Sequence, residues 1–204
     1  MTGRGRWGQG TAVNDPVQAR ARLIEATKRC LVARGTTRLN VEDVAKEASV
    51  ARSTVYRYFR TREELLLGVI IDRIDRSIEV NIRALRHPND AGRSMIDLIV
   101  RSIALVKGDP INEALFADES KWLVTSLELS SEPVVDAFYV HLGPLLERWR
   151  DTGSLRADLD LRETTRWLNT IALLLLGPPW DGRSDRAKRQ FLERYVVRAL
   201  VTNA

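Results

Sequence analysis

Residues 39–66 read LNVEDVAKEASVARSTVYRYFRTREELL, and this stretch decides the fold. Asn40 suits the N-cap of a short helix, because its side chain accepts hydrogen bonds from free backbone N–H groups. A tight turn follows, and then a second short helix over 52–59. Thr61 opens a capping box at the start of a long helix. Two short helices joined by a tight turn predict a helix-turn-helix.

The second of these helices concentrates side chains that suit contact with nucleic acid. Arginine, serine, threonine and tyrosine donate hydrogen bonds to phosphate, and arginine also reads a guanine edge with two hydrogen bonds. Val55 and Phe59 lie four residues apart and are predicted to anchor the opposite side in a small core. The polar residues are Arg52, Ser53, Thr54, Tyr56, Arg57 and Tyr58.

The charge of the chain is unevenly distributed. The whole chain has 32 Lys+Arg and 27 Asp+Glu, a net charge of +5. Residues 1–60 hold 12 of these basic residues and 5 of the acidic ones, which leaves 20 and 22 for residues 61–204. A basic first quarter indicates a polyanionic partner, although solubility alone also produces uneven charge.

The remainder of the chain predicts an all-α fold of about nine or ten helices, because apolar residues recur at helical spacing and no strand alternation is found. We expect a flexible arm at 1–14, a helix-turn-helix domain at 15–60 and a second helical domain at 61–204. Pro144 is predicted to kink or break its helix. The further helices are predicted over 15–34, 61–87, 90–107, from 110, and over 118–130, 132–149, 161–176 and 184–201.

Composition argues against catalysis, metal binding and membrane insertion. One cysteine, Cys30, and two histidines, His87 and His141, do not supply a disulfide, a zinc site or a recognisable catalytic triad. No cofactor is expected. The longest apolar run, Ile171–Leu176, is far short of the ~20 residues of a membrane span. We therefore expect a cytoplasmic protein that is not an enzyme.

The run from Asn40 to Phe59, with residues 60–65, strongly resembles the DNA-binding domain of TetR-family (tetracycline-repressor-like) regulators. The detailed match covers about residues 17–70. The resemblance implies a transcriptional regulator, most often a repressor, that binds double-stranded operator DNA as a homodimer. Two recognition helices then enter successive major grooves of a partly palindromic operator.

The resemblance also implies roles for individual residues. Arg52, Ser53 and Thr54 are candidates for contact with base edges or nearby phosphates. Tyr56 and Tyr58 match phosphate-contacting positions. Asn40 and Arg62 match positions that clamp the DNA backbone. Arg57 is expected to add charge. Arg20 and Arg22 are candidates for contact with the DNA backbone beside the groove.

Two residues depart from the family pattern. The family usually has glycine where Ser49 stands, because that residue often takes a positive φ. It often has serine or threonine as a helix cap where Ala51 stands. Each departure is expected to cost about 1 kcal/mol without abolishing the fold.

The second domain is implied to form the dimer and to bind a small-molecule effector, with an apolar or amphipathic compound favoured by composition. Its pocket is expected between the helices of residues 90–180, with Phe116, Trp122 and Leu123 as candidate lining residues. Effector binding would move the long fourth helix. The dimer-interface candidates are Phe138, Leu142, Leu145, Trp149, Trp167, Ile171 and Leu175.

Two alternatives belong to other functional classes. A helical protein-interaction or scaffolding protein would have a similar composition, but the charge distribution and the polar helix argue against it. A helical enzyme would need a cluster of acid–base, nucleophilic or metal-binding residues, and the sequence has none that we recognise.

Overall fold

Helices dominate the computed structural model, which describes residues 15–117, 125 and 131–202. The prediction of an all-α fold is confirmed. The arm predicted at 1–14 and, apart from residue 125, the helix predicted over 118–130 lie outside the described residues. The nine helices of the described part are α1 (Pro16–Arg34), α2 (Val41–Glu47), α3 (Arg52–Tyr58), α4 (Arg62–Arg83), α5 (Ala91–Val106), α6 (Pro110–Leu115), α7 (Glu132–Asp151), α8 (Leu161–Leu176) and α9 (Asp185–Leu192).

The helix ends follow the capping residues in the sequence. The Asp15 carboxylate accepts a hydrogen bond from the Val17 N–H at 2.9 Å and begins α1. Gly35 ends that helix with φ = 64°, a conformation that glycine adopts without a steric penalty. Asp90 and Asp160 cap α5 and α8 in the same way as Asp15 caps α1. Short polar side chains therefore determine where most of the helices begin.

The C-terminal helical segment continues beyond α9. A π-helical turn, Glu193–Val197, and a short α-helical turn, Arg198–Leu200, extend it. An isolated antiparallel bridge then joins Val201 to Leu155. Among the described helices, none is both long enough and apolar enough to cross a membrane.

Of the two effects predicted for Pro144, the break is wrong, because α7 runs without interruption from Glu132 to Asp151, and the kink stays a prediction. Proline removes one N–H donor from the helix. Its neighbours Leu142, Leu145 and Leu146 are buried on the inner side of the helix, while Pro144 itself is exposed. The packing of these leucines stabilises the continuous helix against the loss of one hydrogen bond.

The N-terminal compact unit contains residues 15–70 and 110–117 of the described chain. Its core is formed by fully buried side chains of α1, α2, α3 and the start of α4, and α6 packs against α1. Gly68 permits the close packing of α4, since a Cβ atom there would lie 3.1 Å from Cε1 of Phe59. The core side chains are Leu23, Leu31, Val44, Val55, Phe59, Leu65, Leu66 and Val69.

The C-terminal compact unit contains residues 71–109, 125 and 131–202. Trp149 is the largest side chain of its core, 1% exposed, and its Nε1 donates to the Pro88 carbonyl at 2.8 Å. Arginines of α8 join that helix to the start of α7 through Glu132, which lies 3.0 Å from Arg162 and 2.6 Å from Arg166. These ion pairs bridge the start of α7 and the first turns of α8.

The turn between α2 and α3 contains Ser49 and Ala51, the two residues that depart from the family pattern. Ser49 has φ = 56° and is the one non-glycine residue of the described chain with a positive φ. Ala51 occupies the N-cap of α3 with extended backbone angles and offers no side-chain acceptor. The turn is therefore formed without either of the residues that favour it most.

Replacement of Ala51 by serine should stabilise the protein. A serine Oγ at this N-cap can accept from a free N–H of the first turn of α3, so we expect Ala51→Ser to raise the free energy of unfolding by about 1 kcal/mol. Urea denaturation measures the change. Ala51→Val is the matched control, because valine also lacks an acceptor, and a comparable gain in that variant would contradict the capping explanation.

Candidate functional site

One face of α3 is buried and the opposite face is exposed. Val55 and Phe59 are both fully buried and fix the inner side of the helix. Residues four positions apart share a helix face, so Arg52 lies beside Tyr56, and Ser53 beside Arg57, on the exposed side. The exposed residues are Arg52, Ser53, Tyr56 and Arg57, and Thr54 and Tyr58 are half-buried. The structure thus places all six candidate residues of α3 on accessible positions of one short helix.

Arg52 is held in place by two neighbours. Its Nη2 donates to Tyr56 Oη at 2.9 Å, and its guanidinium lies 5.2 Å from the centroid of the Tyr56 ring. It also forms an ion pair with Glu42 of α2. The hydrogen bond with Tyr56 and the charge of Glu42 raise the pKa of Arg52, so the side chain remains cationic. All three side chains are exposed, which leaves the guanidinium open to a further partner.

The end of α3 carries a second arginine–tyrosine pair. The Arg57 guanidinium lies 5.1 Å from the centroid of the Tyr58 ring, and its Nη2 approaches Tyr58 Oη to 3.5 Å. That distance is long for a hydrogen bond. The Tyr58 hydroxyl is therefore less firmly engaged than that of Tyr56.

The two candidate clamp residues lie at helix starts. Asn40 is the N-cap of α2, and its backbone N–H donates to Asp43 Oδ2 at 3.3 Å. Arg62 begins α4 and forms an ion pair with Glu63 at 3.1 Å. Asn40 is exposed and Arg62 is half-buried. Both side chains remain accessible at the N-terminal ends of their helices.

Arg20 has a structural role that its place in the sequence does not reveal. Its Nη1 donates to the Tyr58 carbonyl at 3.1 Å, and its guanidinium lies 4.1 Å from the centroid of the Phe59 ring. A free carbonyl at a helix C-terminus carries partial negative charge, so a cation there is stabilising. Arg20 therefore fixes the end of α3 from α1.

An apolar cavity of about 80 Å³ lies within the C-terminal unit, between α4, α5, α7 and α8. Most of its wall consists of aliphatic and aromatic side chains, with Ser102, Thr165 and Asn169 as the polar members. The principal apolar lining residues are Ile78, Met95, Ile99, Phe138, Leu142 and Trp149. A small, largely apolar molecule is the kind of ligand that such a wall favours.

The residues predicted for the dimer interface and the effector pocket lie in different environments. Leu142, Leu145, Trp149 and Leu175 are buried in the core of the single chain, so they present almost no surface to a second copy. Phe138, Trp167 and Ile171 are half-buried on α7 and α8. Phe116 lies in the N-terminal unit and is not among the residues that line the cavity. Trp122 and Leu123 lie outside the described residues.

Comparison with known proteins identifies the N-terminal domain. Residues 23–69 match the family model of bacterial regulatory proteins, tetR family. A Mycobacterium tuberculosis protein described as an uncharacterized HTH-type transcriptional regulator is 25% identical over 182 residues, which are 86% of this chain and 82% of the relative.

Solved structures share the fold across nearly the whole chain. The R. erythropolis TetR-family repressor QsdR superposes with a TM-score of 0.69 at 19% identity, covering 92% of this chain and 98% of its own. The TetR-family repressor AlkX from Dietzia sp. gives a TM-score of 0.61 at 19% identity and covers 98% and 100%. At 19% identity these likenesses show a shared fold and nothing more.

Removal of Arg20 should destabilise the N-terminal unit. A stacked cation and a hydrogen bond to a carbonyl each contribute about 1 kcal/mol, so Arg20→Ala should lower the free energy of unfolding by about 1–2 kcal/mol. The control is Arg29→Ala, which removes an exposed ion pair with Glu47 (2.5 Å) and should cost less than about 0.5 kcal/mol. Equal losses in urea denaturation would refute the anchoring role.

Proposed function

We propose that this chain, which belongs to the TetR family of transcriptional regulators, is a repressor that a small-molecule effector releases from DNA. It binds a partly palindromic operator as a homodimer and acts in the cytoplasm, where the DNA lies. The observation that carries the proposal is the exposed polar face of α3, held outward by the burial of Val55 and Phe59.

In the proposed complex α3 lies in the major groove. Arg52 is then the principal base-reading residue, because a guanidinium donates two hydrogen bonds to one guanine edge. Ser53 and Thr54 contact bases or nearby phosphates, and Tyr56 and Tyr58 donate to phosphates. Asn40, Arg57 and Arg62 add contacts or charge along the backbone, which fix the register of the helix on the duplex.

The dimer is proposed to form through the outer faces of α7 and α8. Trp167 and Ile171 are half-buried, while Leu174 is 46% exposed and Val140 69% exposed. Apolar side chains on the outside of two neighbouring helices favour association with an equal surface of a second copy. The proposed interface includes Trp167 and Ile171, which the sequence had predicted, and also Leu174 and Val140, which it had not.

Release by an effector is proposed to act through α4. This helix supplies Leu65 and Leu66 to the core of the N-terminal unit, and it supplies Ile78 to the wall of the cavity. A ligand that displaces Ile78 shifts α4 and with it α3. The two half-sites lie a fixed ~34 Å apart, so a small shift prevents both recognition helices from docking at once. Effector and operator then oppose each other with a coupling of about 1–3 kcal/mol.

A gel-shift assay with the promoter region beside the gene of this protein tests the proposal. We expect a sequence-specific complex at modest salt, and no complex of similar affinity with a scrambled duplex of equal length. The absence of any specific shift would overturn the regulator assignment and would favour the alternative, a helical protein-interaction protein.

Two variants of α3 should separate base reading from phosphate binding. Arg52→Ala should weaken specific binding by about 1–3 kcal/mol and non-specific binding much less. Tyr58→Phe should weaken both alike, because a phosphate contact carries no sequence information. Tyr58 is the better control than Tyr56, since Tyr56→Phe also removes the hydrogen bond to Arg52. Equal specific and non-specific losses in Arg52→Ala would contradict its base-reading role.

Glu42 should oppose DNA binding by competing for Arg52. Glu42→Gln removes the ion pair, so we expect specific affinity to rise by about threefold beyond the gain from Glu47→Gln. Glu47 is the matched control because it is exposed on the same helix and pairs with Arg29 instead. A loss of specific affinity in Glu42→Gln would show instead that the carboxylate orients Arg52 for the base.

A further inference from the structure

The polar groups in the wall of the apolar cavity differ in how they are used. The Thr165 hydroxyl donates to the Leu161 carbonyl of its own helix at 2.8 Å. The Ser102 hydroxyl accepts from Nδ2 of Asn81 at 3.1 Å, and this bond leaves the hydroxyl hydrogen available. Ser102 is therefore a polar position of the wall with hydrogen-bonding capacity to spare.

Asn81 lies behind Ser102 and has a further polar group that is not engaged in a hydrogen bond within the described chain. Its side chain is 1% exposed, and within the described chain its Oδ1 accepts from no donor. A buried carbonyl oxygen without a donor is rare and destabilising. This oxygen belongs to the same carboxamide that donates to Ser102. The pair therefore has one available donor in the wall of a largely apolar cavity, on Ser102, and one acceptor directly behind Ser102, on Asn81.

We propose that the cavity binds a small compound with an apolar body and one hydroxyl group, a simple phenol or alcohol, through Ser102 and Asn81. The Ser102 hydroxyl donates to the ligand oxygen, and the ligand hydroxyl donates to Asn81 Oδ1. This inference deepens the proposed function and relies on it only for the regulatory consequence of binding. Apolar packing supplies the affinity, and the Ser102–Asn81 pair selects the hydroxyl.

The size of the cavity limits the apolar body. A cavity of about 80 Å³ is smaller than the ~150 Å³ of an apolar cavity known to hold benzene. The flexible Met95 side chain and the half-buried Phe138 ring lie in the wall and can move aside. One ring or a short branched chain is therefore the largest body that fits with a modest adjustment.

Two probes of nearly equal shape test the proposal. 4-Fluorophenol and 4-fluorotoluene differ only in a hydroxyl and a methyl group, and fluorine NMR titration measures the dissociation constant of each with the full chain. We expect Ser102→Ala and Asn81→Ala to lower the ratio of the fluorotoluene to the fluorophenol dissociation constant by about tenfold relative to wild type. Thermal melting identifies any variant that fails to fold, and Ser102→Ala, which removes a single oxygen, then decides alone.

Thr165→Val is the matched control, because it removes a hydroxyl from the same wall that is already bonded to Leu161. Its ratio should stay within about twofold of wild type. If Ser102→Ala leaves the ratio of the two dissociation constants unchanged, the proposal is overturned. The ligand hydroxyl would then contact Asn169, or Asn81 Oδ1 would accept from a water molecule instead of the ligand. Binding of neither probe at millimolar concentration would also overturn it.

The cavity proposal and the proposed function fail separately. Probe binding is measured without DNA, whereas the regulator assignment depends on the gel shift of the ligand-free protein. Specific DNA binding without probe binding would refute the cavity proposal alone. Hydroxyl-selective probe binding without a specific gel shift would leave the cavity proposal standing and refute the regulator assignment.

Discussion

The burial of Phe59 is the contact on which the N-terminal unit depends. Its ring fills the space that Gly68 leaves open on α4, and Arg20 covers it from α1. Because Phe59 follows α3 directly, this one side chain fixes the end of the helix, while Val55 fixes its middle. With these two anchors turned inward, the exposed side of the helix carries Arg52, Ser53, Tyr56 and Arg57.

The outward face is ordered before any partner binds. Arg52 and Tyr56 lie one turn apart and stack, so the arginine loses less conformational freedom on binding than a solitary side chain would. The ion pair with Glu42 orders it further but has to be given up when another anion approaches. The proposed recognition helix thus combines pre-organisation with a local competitor, and both act on the same guanidinium.

The long helix α4 has two environments along its length. Leu65, Leu66 and Val69 are fully buried in the N-terminal unit, whereas Ile78 and Asn81 belong to the surroundings of the cavity. We propose that a displacement of Ile78 is passed along α4 to the N-terminal unit. In the proposed mechanism α4 is the element whose position both the operator and the effector bias, which is the requirement for coupling between two sites.

The sequence by itself determined the helices and the identity of α3. Asp15, Asp90 and Asp160 mark helix starts through bonds to N–H groups two or three residues away, which a local pattern reveals. The alternation of anchors and polar residues over 52–59 likewise lies within two turns. The positive φ at Ser49 was expected only through the resemblance, because the family usually has a glycine at that position.

Tertiary structure decided how distant residues meet. The apolar seam of α7 has one periodicity whether it faces its own core or a second copy, and only packing buried Leu145 and Trp149 inside the chain. Pro144 stays in a continuous helix because its neighbours are buried. Arg20 and Tyr58 are 38 residues apart, and Asn81 and Ser102 are 21 apart. No local pattern encodes such pairs, since they arise from the crossing of helices that long-range apolar burial brings together.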